Sequence, residues 1–359
     1  MKRILKNMAG VMVTVAVAIA VVSCGKDNSD PDSESETGNG DVYVAGWERR
    51  SNSRTYNEAV LWKNGVKQNL PDGTVAGAAS SVFVAGRDVY VAGFEKNDYD
   101  NSDAILWKNG VKQVLESTLS QTSANSVFVA GSDVYVAGDE NNASGTAFAG
   151  IKVSVLWKNG VRQTLPNVHS AYTTNSVFVS GSDVYVAGHE TGYPVEDIAV
   201  LWKNGVGQAL TDGTRDATAC SVFVAGSDVY VAGYAYDVRD ENDIYHSVAC
   251  LWKNGEKQAL TDGSQHAYAY SVFVAGSDVY VAGRDGSLTQ HDACLWKNGV
   301  KQSLTDGAKE AYARSVYVSG SDVYVAGQDG AVACLWKNGV RQNLTDGTLP
   351  ANAVSVFVK

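Results

Sequence analysis

Two short segments recur seven times in this chain and constrain its fold more than any other feature. The segment DVYVAG begins at Asp41, Asp88, Asp133, Asp183, Asp228, Asp278 and Asp322. The segment WKNG begins at Trp62, Trp107, Trp157, Trp202, Trp252, Trp296 and Trp336. Successive copies are 40 to 50 residues apart. Repeat periods of this length are typical of solenoids and β-propellers.

Each repeat predicts four short strands, because four segments rich in Val, Leu and aromatic residues are separated by turn signals. In the copy that begins at Ser221, these segments are SVFVA, DVYVA, ACLWK and EKQAL. A Gly-Ser pair joins the first two segments and suits a type II′ hairpin turn, whereas Asn-Gly joins the last two. The first three segments are apolar on both faces, which indicates sheets that are covered on both sides.

The order of the strands follows from charge and from the two ends of the repeat region. Six of the seven fourth segments carry Lys or Arg at one position, as at Lys257, and such charges protect a sheet edge. We therefore expect the fourth strand outermost and the first strand nearest the axis. The repeats begin with a second strand at Asp41 and end with a first strand, Ser355 to Val358. This predicts an all-β, seven-bladed β-propeller of four-stranded antiparallel blades over residues 41–359, closed by the C-terminal strand.

The repeat resembles a known family. A small-residue run, two strands that each end in Gly, the pattern AxLWxNG and a later Leu are similar to the extracellular HAF-type repeat. Similar LWKNG/DVYVAG repeats occur in bacterial lipoproteins. The resemblance covers about residues 41 to 358, implies a propeller-like extracytoplasmic protein and carries no catalytic residue across. The chain departs from the HAF pattern at SVFVAGSDVYVAG, where that repeat usually has a segment rich in Ile and Asn.

The N-terminal sequence predicts export. Residues 1–23 contain a basic segment that ends at Lys6 and an apolar stretch from Met8 to Val22, which is short for a transmembrane helix. The sequence VVSC that follows resembles a bacterial lipobox, and this resemblance implies that Cys24 is acylated and anchors the protein to a membrane. The alternative is an ordinary secretory signal followed by an unmodified Cys24.

Residues 24–40 are polar and acidic, and they predict a flexible tether. Gly25 differs from the Asp that retains many enteric lipoproteins in the inner membrane, and the acidic run resembles a surface-export signal. We therefore expect a Gram-negative protein that is exported and lipid-anchored, at the outer membrane, the cell surface or the periplasmic face. The net charge of −10 disfavours nucleic acid as a partner, and we expect a monomer.

The variable residues predict a candidate binding surface. The inserts between second and third strands and the links between repeats lie at one end of the predicted propeller. The residue after DVYVAG differs in every copy: Trp47, Phe94, Asp139, His189, Tyr234, Arg284 and Gln328. The residue before SVFV or its variant also varies: Ser80, Asn125, Asn175, Cys220, Tyr270, Arg314 and Val354. We expect the latter residue at the start of the inner strand, near the mouth of the central channel. These positions indicate an asymmetric ligand site, and drift at unconstrained surface positions is the alternative.

The inserts add aromatic residues such as Tyr99 and Tyr236 beside carboxylates and amides. Such surfaces suit saccharides, because rings stack on sugar faces while polar groups bind hydroxyls, but protein interfaces also favour Tyr and Trp. The leading hypothesis is a ligand-binding module for glycans. The alternatives are an interaction scaffold in an envelope protein complex, and a carbohydrate-active hydrolase or lyase. The last would need two carboxylates, or a carboxylate and a His, that converge at the channel mouth.

No motif for a metal or cofactor is present in the sequence, and we expect neither. Thr-Asp-Gly recurs around Asp212, Asp262, Asp306 and Asp346. Calcium binding by these carboxylates is conceivable, but Asp-Gly is first a turn signal, and the spacing of an EF-hand is absent.

Overall fold

The computed structural model describes residues 40–359 except 52, 54–55, 71–75, 98–100, 142–151, 167–170, 193–194, 240–244 and 288. The predicted export signal over residues 1–23, Cys24, the predicted tether as far as residue 39, and Tyr99 lie outside the described residues. Residues Gly40–Lys359 form one compact unit. Within these described ranges, no helix has the length and hydrophobicity needed to cross a membrane.

The unit consists of seven four-stranded antiparallel sheets arranged as the blades of a β-propeller, which confirms the predicted fold class. The strands are given for each blade from the axis outward. Blade 1 contains β28 (Ala351–Val358), β1 (Val42–Arg49), β2 (Asn57–Lys63) and β3 (Val66–Asn69). Blade 2 contains β4 (Gly77–Ala85), β5 (Asp88–Lys96), β6 (Ser102–Lys108) and β7 (Val111–Val114). Blade 3 contains β8 (Gln121–Ala130), β9 (Asp133–Asn141), β10 (Lys152–Lys158) and β11 (Val161–Thr164).

The remaining four blades follow the same order. Blade 4 contains β12 (Ala171–Ser180), β13 (Asp183–Gly192), β14 (Val195–Lys203) and β15 (Val206–Ala209). Blade 5 contains β16 (Ala217–Ala225), β17 (Asp228–Arg239), β18 (Tyr245–Lys253) and β19 (Glu256–Ala259). Blade 6 contains β20 (His266–Ala275), β21 (Asp278–Gly286), β22 (His291–Lys297) and β23 (Val300–Ser303). Blade 7 contains β24 (Ala311–Ser319), β25 (Asp322–Asp329), β26 (Val332–Lys337) and β27 (Val340–Asn343).

The two predicted hairpin turns lie at the same end of blades 2 to 7, and the single Asn-Gly turn of blade 1 lies at that end too; we call it the turn end. The Asn and Gly of all seven Asn-Gly turns have positive φ, 50–53° for Asn and 78–85° for Gly, as a type I′ turn requires. The inserts and the links between blades lie at the opposite end, which we call the insert end. The sequence therefore predicted correctly which segments share an end.

One polar network repeats at the turn end of all seven blades. In blade 4, Asn204 accepts a hydrogen bond from the N–H of Val184 and donates one to Asp183, both at 2.8 Å. The Nζ of Lys203 lies 2.7 Å from the Asp183 carboxylate and 5.3 Å from the ring centre of Tyr185. The equivalent contacts occur in the other six blades. The repeated residues therefore fix the hairpins rather than bind a ligand.

The ring closes as the sequence predicts. The C-terminal strand β28 pairs antiparallel with β1 and completes blade 1. A serine of each inner strand accepts a hydrogen bond from a valine N–H of the next blade at 3.1–3.2 Å, and these bonds join all seven blades. Ser355 of β28 accepts from Val82, and Val356 of β28 donates to Ser315, so the final strand belongs to the circle.

The core consists of apolar clusters between neighbouring blades. The Trp of each WKNG segment is at most 1% exposed and packs in one of these clusters. Cys250, Cys294 and Cys334 replace aliphatic residues of other blades, and they are buried free thiols in the same layer. Because the blades are covered on both faces, the second and third strands carry apolar residues on both sides.

Candidate ligand-binding site at the insert end

The residue after DVYVAG lies near the insert end of each second strand and is half-buried in every blade. In three blades, those of Asp139, Tyr234 and Arg284, its side chain reaches the inner strand of the next blade. Asp139 of blade 3 contacts Thr174 of blade 4, and Arg284 of blade 6 contacts Tyr312 of blade 7. A substitution at this position therefore changes the contact between two blades as well as the surface.

The residue before SVFV or its variant forms a β-bulge in the inner strand of every blade. The pairing register of the first and second strands shifts at this residue in all seven blades. Our expectation that it begins the strand was wrong, because the inner strands extend through the preceding residues, as far as His266 in β20. A bulge leaves one residue unpaired and redirects its side chain. Tyr270 and Arg314 occupy this position in blades 6 and 7.

A third variable position, two residues before the bulge, was missed by the sequence reasoning. Its occupants are Ala78, Ser123, Thr173, Thr218, Tyr268, Tyr312 and Asn352. It lies in a run that we interpreted as small residues beside the axis. The Tyr in the two Ala-Tyr-Ala segments was the available signal, since a large ring replaces a small residue there in blades 6 and 7 only.

Five tyrosines of blades 5, 6 and 7 pack together at the insert end: Tyr234, Tyr236, Tyr268, Tyr270 and Tyr312. We call this group the aromatic sector. The ring centres of Tyr234 and Tyr268 are 4.6 Å apart, those of Tyr268 and Tyr270 6.1 Å, and those of Tyr270 and Tyr312 6.5 Å. Burial raises the pKa of Tyr234 and of Tyr270 to about 12, so both hydroxyls keep their protons at neutral pH.

Two arginines interleave with these rings. The guanidinium carbon of Arg284 lies 4.3 Å from the ring centre of Tyr268 and 5.3 Å from that of Tyr312. The guanidinium carbon of Arg314 lies 4.6 Å from the ring centre of Tyr270 and 4.3 Å from that of Tyr312. Cation–π contacts of this kind hold the two cations in place.

Blades 3 and 4 present a different group of side chains at the same end. The carboxylate of Asp139 accepts hydrogen bonds from Asn125 Nδ2 at 2.9 Å and from the backbone N–H of Thr174 at 2.7 Å. Burial raises the pKa of Asp139, and these hydrogen bonds oppose the rise. Asn175 Nδ2 donates to a backbone carbonyl of blade 5 at 2.9 Å. Much of the hydrogen-bonding capacity of this polar group is therefore used within the protein.

One carboxylate–His contact occurs near this group. The Nε2 of His189 lies 3.9 Å from Oδ2 of Asp197, which is beyond hydrogen-bond distance. Burial lowers the pKa of His189, which favours its neutral form. In catalytic triads a hydrogen-bonded carboxylate orients the His that acts as general base, and this pair lacks that bond, so the contact does not favour the hydrolase or lyase alternative.

A circle of seven aromatic rings narrows the central channel toward the turn end. Its members are Phe83, Phe128, Phe178, Phe223, Phe273, Tyr317 and Phe357. Adjacent ring centres are 4.8–4.9 Å apart. A regular heptagon with 4.8 Å sides places the centres about 5.5 Å from the axis, and the thickness of the rings leaves an opening of about 2–4 Å radius. The circle therefore restricts passage along the axis between the two ends.

The structure separates the predicted site residues into groups. It brings together Tyr234, Tyr236, Tyr270, Arg284 and Arg314 in blades 5 to 7. Asn125, Asn175 and His189 lie in blades 3 and 4 and contact different partners. Trp47 and Phe94 lie in blades 1 and 2, and neither is part of the aromatic sector. Gln328 of blade 7 approaches the carbonyl of Gly330 at 3.5 Å.

The Thr-Asp-Gly segments form turns. The carboxylate of each Asp accepts a hydrogen bond from the backbone N–H two residues later at 2.9–3.0 Å, at Asp212, Asp262, Asp306 and Asp346. This is the side-chain turn that Asp favours. Among the residues that the structure describes, no group of three or more His, Cys, Asp or Glu is placed to hold a metal ion.

The fold is shared with known proteins, although the sequence is not. No protein-family model matches the chain, and no curated protein is similar to it in sequence. The fold of 86% of the chain is similar to that of an acylaminoacyl peptidase from Pyrococcus horikoshii, with 13% identity and a TM-score of 0.50 over 51% of that chain. A puromycin-hydrolyzing peptidase from Mycobacterium tuberculosis is similar over the same share, with 12% identity and a TM-score of 0.56 over 52% of that chain. The chain spans about half the length of these peptidases, and at this identity the likeness shows the propeller fold alone.

Proposed function

We propose that this protein is a ligand-binding module that binds saccharides at the insert end of its propeller. The aromatic sector is the observation that carries this proposal. It presents four half-buried tyrosine rings, those of Tyr234, Tyr236, Tyr270 and Tyr312, at the insert end, packed around the buried ring of Tyr268. Ligand sites combine aromatic walls with a few polar groups that fix orientation, and this sector has both.

The distribution of residues supports a site over drift. Three variable positions meet at the insert end. In blades 5 to 7, six of their nine residues are Tyr or Arg and contact one another, and the other three are Thr218, Cys220 and Gln328. The same positions in blades 3 and 4 hold Asp, Asn, Ser, Thr and His, and in blade 3 Asn125 and Ser123 both donate to Asp139. Independent drift gives no reason for contacting residues to share chemistry across neighbouring blades.

The proposal includes the cellular location. We propose that the module is exported and anchored by lipid on Cys24 at the outer membrane or the cell surface. The basic and apolar segments of residues 1–23 and the lipobox-like VVSC sequence support this assignment. Labelling with a radioactive fatty acid, followed by the same labelling of a Cys24→Ser variant, tests it directly. Label that persists in the variant would contradict the assignment.

A glycan array with the purified full-length protein tests the binding proposal. We expect reproducible binding to at least one saccharide class, and at least a tenfold loss of affinity in Tyr270→Ala, since a tenfold change corresponds to about 1.4 kcal/mol. Tyr56→Ala is the matched control, because Tyr56 is an exposed tyrosine of blade 1 outside the aromatic sector. Absence of binding across neutral and acidic saccharides would contradict the proposal and would favour the protein-scaffold alternative.

A further inference from the structure

Two cations share the aromatic sector without a counter-ion. Arg284 and Arg314 both contact the ring of Tyr312, at 5.3 and 4.3 Å from its centre. These two distances together limit the separation of the two guanidinium carbons to 9.6 Å. Neither arginine forms an ion pair with an Asp or Glu among the described residues.

Two acids of the second strands, one in blade 6 and one in blade 7, are directed away from these arginines. Asp285, which follows Arg284, pairs with Lys301 of the outer strand at 2.8 Å. Asp329, in the second strand of blade 7, pairs with Arg341 of its outer strand. In both blades, the carboxylate that follows the variable position therefore pairs with a cation of the outer strand and not with Arg284 or Arg314.

The remaining contacts of Arg284 are with neutral groups. Its Nη1 lies 3.1 Å from ring nitrogens of His291, whose pKa is lowered first by burial and then by Arg284 itself. The Nε of Arg284 is buried and has no hydrogen-bond partner among the described residues. A buried donor without a partner costs free energy that a bound acceptor would recover.

The tyrosine faces also define what these cations can bind. Stacking on an aromatic ring occupies the flat face of a guanidinium and leaves the N–H groups along its edge for other partners. The planar set of donors on Arg matches the two oxygens of a carboxylate. Two such cations within 9.6 Å of each other, beside sugar-stacking rings, therefore favour an anionic group on the ligand.

We propose that Arg284 and Arg314 form a carboxylate subsite, and that the ligand of the aromatic sector is an acidic saccharide that carries a uronic acid. This inference rests on the proposed saccharide-binding function and specifies its ligand class. The tyrosine rings bind the sugar faces, and the arginines bind the carboxylate. Selectivity for acidic over neutral sugars comes from the arginines alone.

The test compares matched ligands and matched variants by calorimetry with the full-length protein. The probes are uronic acid oligosaccharides of several linkages, their carboxyl-reduced, neutral counterparts, and citrate as a carboxylate ligand that is not a sugar. We expect the acidic form to bind about 10- to 100-fold more tightly, since a charge-assisted hydrogen bond contributes about 1.5–3 kcal/mol. Arg314→Gln should remove this difference and leave the affinity for the neutral form unchanged. Arg215→Gln is the control, because Arg215 also stacks on a tyrosine, Tyr245, but lies outside the sector.

The outcomes separate this inference from the proposed function. Equal affinity for acidic and neutral forms, or an undiminished preference in Arg314→Gln, would overturn the carboxylate subsite and leave saccharide binding intact. Binding of citrate but of no saccharide, with loss in Arg314→Gln, would overturn the saccharide assignment and with it the acidic-sugar ligand. No binding of any of these probes would overturn both.

Discussion

The two ends of the propeller are built from the same seven repeats but differ in what the repeats preserve. At the turn end, one set of Asp, Lys, Asn and Tyr contacts occurs seven times with nearly the same distances. At the insert end, equivalent positions hold different residues and make different contacts. The turn end therefore shows what each blade needs in order to fold, and the insert end shows what the blades do not need to share. An asymmetric ligand site can form only where the repeats differ.

The largest expected effect concerns closure of the ring, on which both ends depend. Deletion of residues 353–359 removes the buried Ala353, Val356 and Val358 and one ring of the aromatic circle. We expect loss of folding, or a drop of more than about 5 kcal/mol in the free energy of unfolding, because several buried apolar side chains are lost together. Denaturant unfolding measures this change, and deletion of Lys359 alone is the control. Unchanged stability would contradict closure by β28.

The next largest effect concerns two ion pairs of the outer strands, one buried and one exposed. Arg162 forms a bidentate ion pair with Glu140, which is 0% exposed, whereas Lys257 pairs with Asp237 with both side chains 37% exposed. Arg162→Met should cost about 3–5 kcal/mol of unfolding free energy, because it leaves a buried carboxylate unpaired. Lys257→Met should cost less than about 1 kcal/mol. Equal losses of unfolding free energy in the two variants would show that burial of the carboxylate does not change how much these ion pairs contribute.

A smaller effect is expected from one copy of the turn-end network. Asn204 has φ of 52° and makes two hydrogen bonds, so Asn204→Ala loses the bonds and strains the turn. We expect a loss of about 1–2 kcal/mol in unfolding free energy. Asn204→Gly relieves the strain and isolates the hydrogen bonds, so it should lose less. If Asn204→Gly were less stable than Asn204→Ala, strain from the positive φ would not explain the loss of stability.

The smallest effect for each blade is electrostatic. The pKa of each turn-end aspartate is held below its usual range, first by the hydrogen bond from its Lys and then by that from its Asn. Because the folded pKa is lower than the unfolded one, these carboxylates stabilise the fold above about pH 4, and that contribution is lost as the pH falls through the folded value. Acid titration of Asp183→Asn should therefore show a shallower loss of stability than the unaltered protein, and salt should reduce the difference. An unchanged dependence of stability on pH in this variant would show that the Asp183 carboxylate does not make this contribution.

Most of the fold was predictable from the sequence, because each repeat contains clear sequence signals for its strands and turns. Asn-Gly and Gly-Ser specify the hairpins, and the charged residue of the fourth segment marks the outer edge. Closure followed from an unmatched strand at each end of the repeat region. These are local signals repeated seven times. The closing strand carries the same serine as the other inner strands, and this residue, Ser355, makes the same hydrogen bond to the next blade.

The site was only partly predictable. The variable positions were found, but their contacts depend on the β-bulge, which changes the direction of Tyr270 and Arg314 and has no clear signature in the sequence. Tyr268 and Tyr312 were missed because they stand in a run of small residues. Trp47 and Phe94 were grouped with Tyr270 because all three stand at variable positions of the insert end, but the aromatic sector is built from blades 5 to 7, whereas Trp47 and Phe94 lie in blades 1 and 2.

The central claim is that the varied end binds a ligand while the repeated end holds the fold. The most direct test is calorimetric titration of the saccharide selected on the array into wild-type, Tyr270→Ala and Asn204→Ala proteins, with the melting temperature of each. We predict that Tyr270→Ala loses affinity at least tenfold at a temperature at which the variant is fully folded, and that Asn204→Ala lowers the melting temperature without a change in affinity. The reverse pattern, or an equal loss of affinity in both variants, would contradict the claim.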